Sequence, residues 1–131
     1  MRFRPYMLVG AGIVLAGFLV YGATRILDAV RRYPEVHAKS CLVTFTQIAD
    51  KTLDVTIPAG RYADAIDSAE SISSSYPVGT VLPEDHPFAA TYDRERHKQI
   101  GRITMALRAA TGRDHGHDWE AWKNALASTS N

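Results

Sequence analysis

The chain has 131 residues, one cysteine and a net charge of +1. Near neutrality argues against a nucleic-acid-binding domain, which is usually strongly basic, and a lone cysteine excludes an internal disulfide. One apolar segment is too long for so small a soluble core, and it leaves about a hundred residues, enough for one small domain.

That segment is Tyr6–Thr24, nineteen residues without a charge. As a helix it covers about 28 Å, close to the ~30 Å hydrocarbon thickness of a bilayer. It is read as a transmembrane helix, residues 6–24, behind a basic tail, residues 1–5, that holds Arg2 and Arg4. The run is long for the apolar core of a secretory signal, and the small residues needed before a cleavage site are poorly placed around Tyr21 and Ala23. The expectation is therefore an uncleaved signal anchor in a single-pass protein, most simply of the bacterial inner membrane. Positive charges nearly balance across the span, with Arg25, Arg31, Arg32 and Lys39 on the far flank, so they fix no orientation.

Two faces of the span carry small residues. Gly12, Ala16 and Ala23 lie on one, and Gly10, Gly17 and Thr24 on the other. Small side chains let membrane helices approach closely, which makes other membrane proteins the expected partners. Tyr6 and Tyr21 stand where aromatic rings suit the headgroup boundary.

Helical spacing continues over a juxtamembrane helix, residues 25–33, until Pro34 removes a backbone donor and predicts a break. A mainly α-helical soluble domain is expected over 34–127. Cys41, set among Leu42, Val43 and Phe45, reads as a small buried side chain. Residues 41–57 fit two templates. Cys41, Leu42, Phe45, Ile48, Ala49 and Leu53 recur at helical spacing, while Leu53, Val55 and Ile57 alternate with polar residues. A helix with a strand-like end is the compromise, and a short β-hairpin turning at Asp50 and Lys51 is its rival.

Residues 61–72 predict a short helix with Ala63, Ile66 and Ala69 on its apolar face. The stretch 73–92 holds Pro77, Gly79, Pro83 and Pro87 and reads as a connector, pinned by Val78, Val81, Leu82 and Phe88. The next helix begins at Asp93, taken as its cap, and ends at Gly112, with Ile100, Ile103, Leu107 and Ala110 on one side. Gly101, costly inside a helix by about 1 kcal/mol, suggests a closely packed neighbour. The opposite side carries Arg94, Lys98, Arg102 and Arg108, which would suit anionic lipid headgroups. Charge is uneven: residues 50–85 hold seven acids against Lys51 and Arg61, and residues 94–113 hold six bases against Glu95. Two oppositely charged faces attracting each other within the domain are the plainer account.

The segment Thr111–Trp122, TGRDHGHDWEAW, supplies two turn glycines, a capping Asp118, and Trp119, Trp122 and Leu126 as the start of an amphipathic helix. It resembles the TGxDxGxDxxAW segment that closes HEAT-like helical regions in uncharacterised bacterial proteins of planctomycete type. The matching positions are Gly112, Asp114, Gly116, Asp118, Ala121 and Trp122, and the likeness is confined to about residues 93–122. It implies a helix–turn–helix with no catalytic residue, and an aromatic residue where His115 stands. After residue 127 the tail, residues 128–131, is expected to fray.

His115, His117 and Asp118 are ligand types for zinc or nickel, yet the two adjacent-but-one histidines lack a third, distant ligand of clear geometry. His37, His86 and His97 read as isolated surface residues. Phosphate-binding loops, nucleophile elbows and paired-cysteine motifs are absent from the sequence, so no catalytic residue, cofactor or small-molecule ligand is assigned. The expected role is contact: an interaction module or accessory subunit of a membrane assembly, with a metal-dependent protein built on the HGHD turn as the alternative.

Overall fold

The computed structural model describes residues 4–128, with side chains from residue 10 onward. The expectations for residues 1–3 and 129–131, and for the side chain of Tyr6, lie outside what is described. The order is α1 (Arg4–Lys51), a π-helical turn (Thr52–Thr56), α2 (Tyr62–Ser74), α3 (Ala89–Thr111) and α4 (Trp119–Ala127). The fold is mainly helical, and among the described residues there is no strand. The chain divides into two units, Met1–Pro34 and Glu35–Asn131. Helical structure does not end at Pro34, which lies inside α1. A proline inside a long helix removes one hydrogen bond without having to terminate it.

The first unit is the front of α1, long and apolar enough to cross a membrane, with its most apolar window 0% buried. Ile13, Leu15, Phe18 and Leu19 are all exposed. A methyl group in place of the hydrogen at Gly10, Gly12 or Gly17 would meet nothing within 4 Å, so no described residue covers either small-residue face there. At the far end Arg25 Nε donates to the Tyr21 hydroxyl at 3.0 Å and the guanidinium lies 5.3 Å from the Tyr21 ring centre.

The second unit is built around one core. The rear of α1 contributes Ala38, Cys41, Phe45 and Ala49, a single stripe at spacings of three and four. That stripe continues through Thr52 and Thr56, which are buried, and this overturns both the hairpin and the strand-like end. The alternating residues do not form a buried strand face: Val55 is 50% exposed, and Leu53 and Ile57 are half-buried, Ile57 packing against the edge of the core. Threonine tolerates this placement because its hydroxyl bonds back along the helix, Thr52 Oγ1 donating to the Ile48 carbonyl at 2.7 Å. The turn closes with bonds five residues long, Ile57 N to Thr52 O and Arg61 N to Thr56 O.

Helix α2 buries Ala65, Ile66, Ala69 and Ile72, whereas Ala63 is exposed. Its connector to α3 is pinned by buried Val81 and Leu82 and by partly buried Val78 and Phe88. Helix α3 starts four residues before Asp93, after Phe88, so Asp93 is not a cap. It lies in the second turn, where its carboxylate pairs with Arg96 at 2.8 Å. The buried face of α3 runs through Tyr92, Ile100, Ile103 and Leu107, while Ala110 is exposed. No side chain approaches Gly101. Gly112 ends α3 in the left-handed region at φ 68°, and its N–H donates to the Arg108 carbonyl.

Candidate functional site

The turn between α3 and α4 concentrates the polar chemistry of the domain. Asp114 accepts from the Gly116 N–H at 3.1 Å and pairs with Arg108. The Arg108 guanidinium and that N–H hold the Asp114 carboxyl below its usual range. Asp118 caps α4, its carboxylate accepting from the Ala121 N–H at 2.9 Å. Trp122 is 0% exposed, and its indole N–H donates to the Gly116 carbonyl at 3.1 Å. Arg113 donates to the Ala125 carbonyl, tying the start of the turn to the end of α4. These bonds give the motif positions Gly112, Asp114, Gly116, Asp118 and Trp122 jobs in closing the domain.

The three candidate metal ligands are used separately. His115 packs edge-on to Trp122, centroids 5.0 Å apart, filling the role of a flat ring. His117 stacks on Trp119 at 5.7 Å, planes at 18°, and Asp118 is the helix cap. Among the described residues no group of three or more His, Cys, Asp or Glu side chains is arranged to hold a metal. His97, which looks isolated in the sequence, comes to within 6.5 Å of His117 between ring centres. No local pattern signals this pair, because twenty residues of helix and turn separate them.

Each of the four basic residues expected at a lipid surface has a carboxylate partner. Arg94 and Lys98 pair with Glu95, Arg102 with Asp50 at 2.7 Å, and Arg108 with Asp114. The Asp50–Arg102 pair joins the acidic and basic stretches, while Lys123 of α4 reaches Glu70 in the acidic stretch at 2.6 Å. The Glu70 carboxylate raises the Lys123 ammonium above its ordinary value. An open cleft of about 600 Å³ lies beside Arg61, Tyr62, Asp64, Thr111, Arg113 and Leu126. Its arginines are engaged, Arg61 with Asp64 at 3.7 Å and Arg113 with Ala125.

Cys41, buried as expected, sits beside Tyr92 and has its Sγ 4.0 Å from His37 Nε2. Burial pushes the thiol up, which suits an inert packing role rather than a nucleophile. Burial likewise pushes the Tyr92 phenol up to about 12, and its hydroxyl donates to the Tyr76 carbonyl at 2.6 Å.

No family model matches the chain, and neither the curated proteins nor the solved structures yield a match.

Proposed function

We propose that the chain is a single-pass membrane protein, anchored in a bacterial inner membrane by the front of α1, whose helical domain acts by contact as an interaction module or accessory subunit of a membrane assembly. The observation that supports this reading is the uncovered apolar surface of residues 10–30, where Ile13, Leu15, Phe18, Leu19, Ile26 and Val30 are all more than half exposed. Water does not tolerate so continuous a patch, and a bilayer does. Facing lipid, the bare small-residue positions Gly12, Ala16 and Ala23, with Gly10 and Gly17, are where a neighbouring helix would seat. In the domain, the segment resembling the planctomycete motif serves to lock α4 onto α2, leaving the outer faces for partners.

Two measurements test this. Intact mass of the membrane-extracted chain should include residues 6–24, and a mature chain beginning beyond Thr24 would make this a secreted domain instead. In mild detergent after cross-linking in the native membrane, the protein should run as a defined oligomer or stoichiometric complex. A strictly lone monomer would overturn the contact role.

A further inference from the structure

His97 on α3 and His117 in the turn before α4 are both exposed, with ring centres 6.5 Å apart and planes inclined by 30°. The Nδ1 of His97 lies 2.8 Å from the Asp93 carbonyl oxygen. A carbonyl only accepts, so Nδ1 carries the proton, and the neutral ring presents Nε2 as a bare lone pair. Asp93 Oδ2 lies 3.4 Å from the same Nδ1. A carbonyl or carboxylate behind the distal nitrogen is the arrangement that orients imidazoles for metal binding. On the other side, the Trp119 face backs His117 at 5.7 Å.

We propose that His97 and His117 form a two-imidazole site for a first-row divalent ion of the Cu²⁺, Ni²⁺ and Zn²⁺ class, water completing the shell. The bound ion ties α3 to the turn that starts α4. Imidazole suits these ions, and Cu²⁺ should bind tightest. With metal–nitrogen bonds of about 2.0 Å, a tetrahedral ion holds two imidazole centres about 5 Å apart. Both rings are exposed, and the observed centroid separation of 6.5 Å is within about 1.5 Å of that value. The site takes only His117 from the HGHD turn and its other ligand from α3, since His115 is packed on Trp122 and Asp118 is committed to the Ala121 N–H.

The test uses the full chain in mild detergent with a histidine-free tag, titrated near neutral pH with Cu²⁺ and separately with Zn²⁺ by calorimetry. Expected are one saturable site per chain, tighter for Cu²⁺, and quenching of tryptophan emission by Cu²⁺ through Trp119. His97→Gln and His117→Gln should each weaken binding at least about tenfold, with circular dichroism unchanged, while His115→Gln keeps the wild-type affinity. Electron paramagnetic resonance of the Cu²⁺ form should show two imidazole nitrogens. The proposal is overturned by absence of a saturable site, by a single-nitrogen signal, or by wild-type affinity in His97→Gln. Loss in His115→Gln with retention in His97→Gln would place the ion in the HGHD turn instead.

Discussion

The two halves of α1 are both rich in apolar residues and use them in opposite ways. In residues 10–30 the apolar side chains surround the helix and stay exposed; the consecutive Ile13, Val14 and Leu15 point about 100° apart and are 69%, 60% and 64% exposed. In residues 35–51 the buried ones form one stripe, Ala38, Cys41, Phe45 and Ala49, all under 8% exposed, while Ser40, Thr44 and Lys51 face outward together with Val36 and Val43. Angular distribution, not content, tells which solvent each half is built for. A helix apolar all round suits hydrocarbon, and a striped one suits a protein core bordered by water.

The sharpest break of that comparison is at Trp122, the largest buried side chain of the domain. Trp122→Ala should cost about 3–5 kcal/mol of domain stability, read as a lowered thermal midpoint in detergent. Phe18→Ala, in the exposed half of α1, should leave domain stability within about 0.5 kcal/mol of wild type. Next comes Leu15→Arg, which should oppose membrane insertion by about 3–4 kcal/mol. Its readout is the fraction of protein resisting alkaline extraction, with the domain's midpoint unmoved.

Tyr92→Phe removes the hydroxyl bonded to the Tyr76 carbonyl and should cost about 1 kcal/mol. It should also change the alkaline limb. The native phenol titrates near 12 against 10.0 unperturbed, so the folded state holds its proton longer than the unfolded one. The resulting stability is complete below pH 10 and is lost as pH rises from 10 through 12. A pH series of chemical denaturations should show a shallower decline for the phenylalanine variant. The smallest effect is at Asp50–Arg102, partly exposed on both sides. A double-mutant cycle to alanine should return a coupling of about 0.2–1 kcal/mol, falling with salt.

Legibility follows how one-sided each pattern is. Helix α3 is readable because Ile100, Ile103 and Leu107 repeat at helical spacing and Gly112 supplies a left-handed stop, and α4 because Asp118 precedes an amphipathic run. The start of α3 is hidden because Asp93 is a good capping residue by type, while Phe88, where the helix begins, makes no capping bond. Pro87, one residue earlier, is the punctuation that marks the true start. Residues 52–57 mislead because their apolar residues alternate while the buried ones are threonines, of which Thr52 satisfies its hydroxyl on the preceding turn. The approach of His97 to His117 depends on the length of α3 and the path of the turn, which no short-range pattern encodes.

The π-helical turn at Thr52–Thr56 has a consequence for how the chain tolerates changes in length. Five-residue bonds mean that this turn holds one residue more than a regular α-helix would place there. Deleting one residue from it would restore ordinary helical bonding while leaving the exit of the turn close to its present direction, so that Ala65, Ile66, Ala69 and Ile72 would keep the core they now fill. A residue deleted from the regular α-helix just before it would instead rotate the chain beyond the cut by about 100°; the turn absorbs a lost residue where the helix ahead of it does not.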